Sequence, residues 1–407
     1  MALQAQMPNE TSGSEWHAGF LKSARARDGR AVYNCLKATE QRPAPKDLPR
    51  STGSGDPVER LAFNVITAWM KKGTAIAFEA ALVALRHWYA EYGDASDAGF
   101  DWMIYPLMWL GLQARLVAAE SDGADARKRT SDSAGKRNLT QLVEVHREQF
   151  QKLHRHPEKR AGLLYICSEL LQLYFRVQQV GQCGYLLAAV QKGHRQEHLG
   201  SLPKALAVTL CYYWGKYSVI SDKVKEANEK LSWALKHCSP AHASQCRHIL
   251  LYLIPCRLRL GNPPSPALLA RHNLHTMYGG LTKAVQTGNV RLFNSEFAKR
   301  QGAFMSMGLF AMVEKLKLLV HRNLCKAIYR AVAAEALAIG QKPHQQDLAM
   351  YEHAFAWQDD CDEDETVCIL ANLIHLGGLR GYLSDSHKRI VFAKESPFPS
   401  PGTWNAG

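Results

Sequence analysis

The chain reads as an all-α protein, a solenoid of helical-hairpin, tetratricopeptide-like repeats running into a C-terminal winged helix with a small β-hairpin. Three observations predict this. Apolar residues recur at three- and four-residue steps along most of the 407 residues, with Gly or Pro breaking the pattern. Between 138 and 332 the helix pairs so marked return at about 35–40 residues, the spacing of hairpin repeats. Beyond about residue 340 two helices precede two short β-like runs around a polar turn, the order of a winged helix.

The elements follow in order. Residues 14–40 read as a short helical segment, and QRPAPKDLPRSTGSGDP (41–57) as a linker rich in Pro, Gly and Ser. Asp56 suits an N-cap and Pro57 the first helical position. Val58, Leu61, Ala62, Val65, Ile66 and Trp69 then make one helix face, which Gly73 ends. Phe78, Leu82, Leu85, Tyr89 and Tyr92 mark its partner helix, and Tyr105, Met108, Trp109, Leu112 and Leu116 a third. Residues 120–137 are polar without periodicity and read as a solvated loop; RKR (127–129) is too short to set apart from ordinary loop as an import signal. Gly181, Gly200, Pro203, Gly261, Pro263 and Gly288 punctuate the helices that follow, and KEANEKLSWALKHC (225–238) has the rhythm of a repeat's second helix. HQQDLAMYEHAFAW (344–357) reads as one helix, 366–378 as a second with a glycine stop, and 381–394 as the hairpin. The expected divisions are an N-terminal helix and linker (1–57), helical repeats (58–240), a further helical part (241–335), the winged helix (336–399) and a tail (400–407).

Composition narrows the partners. With 50 Lys+Arg against 37 Asp+Glu the formal charge is +13, which favours nucleic acid, an acidic protein or an anionic surface. No apolar run approaches the roughly 18 residues of a membrane span, and MALQAQMPNETSGSEW lacks the basic and apolar regions of a signal peptide. Ten cysteines without a Cys-x-x-Cys pair, mostly in apolar helical surroundings, point to free thiols in a reducing compartment.

Catalytic patterns are missing from the sequence. It has no Gly-x-x-x-x-Gly-Lys, no dinucleotide-binding Gly-x-Gly-x-x-Gly unit and no Gly-x-Ser-x-Gly, so no enzyme activity and no cofactor are expected. His154-x-His156 has the first half of a zinc isopeptidase pattern, but 157–175 hold no Asp. His237, His242 and His248 fall near Cys238 and Cys246 without zinc spacing, so surface and packing roles are the plainer reading. Tyr212, Tyr213 and Trp214 face different ways on a helix and read as core filling before base stacking.

Basic residues carry more. Residues 299–332 hold seven Lys/Arg and one Glu. Lys315, Arg322, Lys326 and Arg330 fall on one helix stripe, opposite Val313, Leu316, Leu319, Val320, Leu324 and Ile328. The stripe is either a site for an acidic protein or phosphate, or a solvated face. In the winged helix the second helix, where a sequence-reading domain places its base contacts, has no Lys or Arg over 363–376. It opens on Asp359, Asp360, Asp362, Glu363, Asp364 and Glu365, and its exposed face is Cys368, Asn372 and His375. Arg380, His387, Lys388, Arg389 and Lys394 lie instead in and around the wing. Any nucleic acid is therefore expected at the wing, held by its phosphates and without sequence preference.

Three stretches, RHILLYLIPCRLRLG (247–261), residues 281–330 and ETVCILANLIHLGGLRGYLSDSHKRIVFAKESPFP (365–399), resemble the PCI domain-containing protein 2 family, metazoan counterparts of a subunit of the yeast transcription-export complex 2. The Leu-Ile-Pro step (253–255), the VEKLKLL…RNL…IY series and the Pro-Phe-Pro close (397–399) are its specific marks. The likeness is strong over 205–399 and weaker upstream, where FLKSARARDGRAV (20–32) resembles the family's opening helix. It implies a PCI fold, with 241–335 as the helical part, and a scaffold role in transcription-coupled mRNA export in the nucleus, at the nuclear pore, with the cytoplasm as a further location. Implied partners are a large PCI-containing scaffold subunit and a small acidic Sem/Dss-type protein, with RNA or DNA bound non-specifically. Related chains serve the signalosome, the proteasome lid and translation initiation, which keeps those assemblies as alternatives.

Overall fold

The computed structural model describes residues 13–38, 57–70, 77–94, 100–128, 137–192, 199–200, 202–384 and 386–404. The linker expected at 41–57 lies outside them except for Pro57, as do Asp56 and Gly73. Two compact units divide at Tyr213/Trp214.

The first unit holds α1 (Gly13–Arg25), α2 (Gly29–Ala38), α3 (Pro57–Met70), α4 (Ala77–Asp94), α5 (Ile104–Lys128), α6 (Arg137–Leu153), α7 (Arg160–Arg176), α8 (Gln182–Lys192) and the larger part of α9 (Lys204–Ile220). The segment expected as one helix over 14–40 is two, parted where Arg27 takes φ +54. Asp28 then caps the second, its Oδ1 accepting from the backbone N–H of Arg30 and of Ala31. The loop expected at 120–137 is corrected over 120–128, which continue α5; 129–136 are not described. Polarity there serves the next helix. Asp122 is 2% exposed, and its two carboxylate oxygens accept from the N–H groups of Asn138 and Leu139 at the start of α6. The first-unit core holds a buried ion pair, Arg115 Nε to Glu169 Oε2 at 2.7 Å, with Gln172 Oε1 2.7 Å from Arg115 Nη1.

The second unit begins in α9 and continues with α10 (Val224–His237), α11 (Ala243–Arg259), α12 (Pro266–Arg271), α13 (His275–Thr287), α14 (Val290–Met307), α15 (Phe310–Glu314) and α16 (Leu316–Ala338). α10 packs on α11, and α13 on both α14 and α16. Pro255 sits inside α11 and is buried. Its ring has no N–H for the Leu251 carbonyl four residues back, and the Tyr278 hydroxyl donates to that carbonyl at 2.5 Å. Gly288 ends α13 at φ +73, and a Cβ there would lie 2.4 Å from the Leu324 nitrogen, so no side chain fits. α16 is the centre of this unit, with Leu316, Leu319, Val320, Leu324 and Cys325 buried.

The remainder is β1 (Gln345–Asp347), α17 (Leu348–Asp359), α18 (Glu363–His375), β2 (Gly381–Ser384) and β3 (Arg389–Phe392). The strands form an antiparallel sheet in the order β1-β3-β2, Ile390 lying between Gln346 and Leu383. The reading of 344–357 as one helix is corrected: Gln345–Asp347 form a strand. Gln346 is buried and bonded at both ends, donating to the Tyr329 and Pro343 carbonyls and accepting from the Tyr351 hydroxyl at 2.6 Å. Leu370, Leu373, Ile390 and Phe392 are buried, while Ile374 is half-buried.

Residues from 400 onward, expected as a tail, are packed through Trp404. Residues 395–404 cross the unit as a strap. The Pro397 carbonyl accepts from the Arg380 N–H, the Phe398 ring lies 5.4 Å from Tyr329 and 5.5 Å from Phe392, and a Cβ on Gly261 or Gly378 would press on Pro401 or Trp404.

Candidate functional site

The winged helix separates its charges. α18 opens on a capping box, in which Asp362 accepts from the Glu365 N–H at 2.7 Å and the Glu365 carboxylate accepts from the Asp362 N–H. Asp359 pairs with Lys317 at 2.8 Å and also bonds Asn294. These carboxylates hold helix ends and neighbours together, and Asp360, Glu363 and Asp364 remain exposed beside them. The outer face of α18 is Cys368, Asn372 and His375, all exposed.

The basic residues sit at the other end of the module. Arg380, His387, Lys388, Arg389 and Lys394 are all exposed. The turn between β2 and β3 is set by Lys388 at φ +47, whose carbonyl accepts from the Leu348 N–H at 3.0 Å and ties the wing to the start of α17. No ion pair to a described carboxylate engages Arg380, His387, Arg389 or Lys394. Tyr382, 61% exposed on the edge strand β2, adds an aromatic ring that the sequence reading did not single out. Its signal was its own pattern: an aromatic on the face of the hairpin opposite buried Ile390 and Phe392.

The stripe on α16 does not survive as four exposed cations. Arg322 is 6% exposed and lies under the strap, with Nη2 donating to the Phe398 and Pro399 carbonyls at 2.9 and 2.8 Å and Nη1 to Asn323 Oδ1 at 2.7 Å. Its guanidinium also lies 5.6 Å from the centre of the Phe398 ring. Lys315 is engaged with Asp222 at 2.5 Å, a carboxylate it shares with Arg259. Those two cations hold Asp222 below the usual carboxylate range against a burial that acts the other way. Lys326 is half-buried and Arg330 exposed, and these two remain as the outward cations. Burial, then Arg322 and Arg330, hold the Lys326 amine below its ordinary range. Replacing Arg322 by Ala is expected to cost about 2–3 kcal/mol, because two strap carbonyls lose a charged donor. Urea unfolding measures this, and an unchanged midpoint would contradict the assignment.

His154 and His156 are exposed, His156 facing Glu158 at 2.9 Å. His237 stacks on Trp233 at 3.9 Å, and His248 bonds the Ser244 carbonyl. Tyr213 packs against Tyr212 and Phe175, and the Trp214 indole donates to Glu226 at 2.9 Å. Among the described residues no group of three or more His, Cys, Asp or Glu is placed to hold a metal, and no helix is long and apolar enough to cross a membrane.

Stacked helical hairpins that pass through a central helix into a β-α-α-β-β winged module define a PCI-type protein. No family model matches the chain. Curated relatives do. PCI domain-containing protein 2 of Xenopus laevis is 34% identical over 247 residues, 60% of this chain and 59% of that protein. A homolog of it in Drosophila melanogaster is 33% identical over 60% of the chain and 58% of its own length. Enhanced ethylene response protein 5 of Arabidopsis thaliana is 30% identical over 299 residues, 73% of this chain and 70% of that protein. The chain belongs to the PCI domain-containing protein 2 family. The match spans under two thirds of the length of the frog and fly relatives.

Proposed function

We propose that this protein is a non-catalytic scaffold subunit of a nuclear-pore-associated, transcription-coupled mRNA export complex. In this reading it works in the nucleus, at the nuclear pore. It binds a large PCI-containing scaffold subunit and a small acidic Sem/Dss-type protein, and touches RNA or DNA non-specifically through its wing. Family membership supports the scaffold role. The +13 charge, with Lys326 and Arg330 facing outward, supports an acidic partner. The observation that carries the nucleic-acid part is the charge separation of the winged helix. An acidic, Lys- and Arg-free α18 repels phosphates where base reading would occur, while the wing presents Arg380, His387, Lys388, Arg389 and Lys394 to solvent.

The decisive measurement is binding of the full chain to several unrelated RNA and DNA oligonucleotides at a series of salt concentrations. Lys388→Glu with Arg389→Glu is expected to weaken all of them alike and to flatten the log–log salt slope by roughly one unit per lost phosphate contact. Loss of a single sequence with the others spared means base readout and refutes the reading. Purification from native nuclei tests the assembly: signalosome, proteasome-lid or initiation-factor subunits in place of an export scaffold would overturn it.

A further inference from the structure

The strap contains two Ser-Pro steps, Ser396-Pro397 and Ser400-Pro401. Both serines are exposed, but their backbones differ. Ser396 is held at φ +46, the left-handed region. Ser400 is extended, at φ −59 and ψ 138. Kinases that act ahead of proline take the acceptor residue extended, and proline suits a following subsite that offers no acceptor because it brings no N–H. Ser400 has that conformation already; Ser396 would have to change its backbone first.

Arg322 lies beside the backbone of Ser400. The carbonyl of Pro399, covalently joined to Ser400, accepts from Arg322 Nη2 at 2.8 Å. Backbone and side-chain dimensions then keep the Ser400 hydroxyl within about 8 Å of Arg322 Nη2. Arg322, Lys326 and Arg330 form a group whose members repel one another. No described carboxylate forms an ion pair with any of the three; Arg322 is held by three neutral oxygens, and its buried Nε has no partner. Arg322, a member of this group without a counter-charge, is thus bonded to a segment that offers a phosphate acceptor.

We propose that Ser400 is the phosphorylation site of a proline-directed kinase, and that its phosphate docks on the Arg322, Lys326 and Arg330 group and fastens the strap to α16. In the transfer Ser400 Oγ attacks the γ-phosphorus of ATP. The new Oγ–P bond forms as the bond from that phosphorus to the β–γ bridging oxygen breaks. ADP leaves with the electron pair, and the hydroxyl proton passes to the base of the kinase. The product carries about −1.5 to −2 charges at neutral pH with three strong acceptor oxygens. Phe398 and Pro399 are docked in the unmodified protein, so the strap lifts for the transfer, and the phosphate then makes lifting harder.

The test uses the full chain, ATP and a proline-directed protein kinase, with sites mapped by mass spectrometry and thermal unfolding followed before and after. The expected result is one strap phosphate, on Ser400 and absent from Ser400→Ala, with a rise of about 2–4 °C in the unfolding midpoint. In Lys326→Gln with Arg330→Gln, which keeps the strap's hydrogen bonds to Arg322, phosphorylation proceeds but at least half of that rise disappears. A phosphate on Ser396 with none on Ser400, an unchanged or lowered midpoint, or an equal rise in the double variant would overturn the proposal.

Discussion

An alanine at Glu169 is expected to destabilise the first unit by about 3–5 kcal/mol. Arg115 and Glu169 pair at 2.7 Å with side chains 9% and 6% exposed. Without the carboxylate the guanidinium keeps a full charge in a dry layer. Its one other described acceptor there is the neutral Gln172 amide oxygen. The neighbouring groups show how dry that layer is: burial above all pushes the hydroxyls of Tyr89 and Tyr165 well above the usual tyrosine range. Replacing both partners, Arg115→Met with Glu169→Leu, is expected to recover most of the loss, since apolar side chains of similar volume need no counter-charge. Urea unfolding of the two single variants and the double variant separates the terms. A double variant as unstable as Glu169→Ala would show that the pair contributes through shape and not through charge.

In the second unit the largest loss is expected from Leu373→Asp, at about 4 kcal/mol or more. Leu373 is fully buried in α18, and a carboxylate there loses its hydration. The effect should spread, because the winged helix and α16 share packing. Tyr329 of α16 lies 4.8 Å from Phe392 and 5.4 Å from Phe398, and its carbonyl accepts from Gln346. By the same contacts, residues 340–407 alone are expected to show no cooperative thermal transition. Calorimetry of that fragment, beside the full chain carrying Leu373→Asp, checks both. A sharp transition in the fragment would mean that the module does not depend on α16.

Most helices were legible from apolar spacing, but spacing did not always give the buried face: Leu112 and Leu116, expected on the face of α5, are 36% and 48% exposed. The face Phe78, Leu82, Leu85, Tyr89 and Tyr92 is buried as its periodicity predicts. What escaped was structure made by partners far along the chain. Residues 120–128 look like loop because their polar side chains carry no period, yet Asp122 is buried against the first turn of α6. Gln-Gln-Asp has no strand propensity, and β1 exists because Gln346 meets Tyr329, Pro343 and Tyr351. The wing cations are exposed where the sequence put them. The α16 stripe was misjudged at Arg322 because helical spacing reports which residues share a face, not what lies over that face.

The order of strands in the sheet bears on how the module assembles in time. β3 is central, and its partner β1 precedes it by two helices and a strand. α17 and α18 can form from neighbouring residues, each with a side-chain cap at its start, whereas Gln346 meets Ile390 only after the intervening chain has closed into a loop. Closure of that loop is slow compared with helix growth. Substitutions at the β1–β3 pairing should therefore act mainly on the rate of unfolding, with folding rates changing little if the sheet is still open at the barrier.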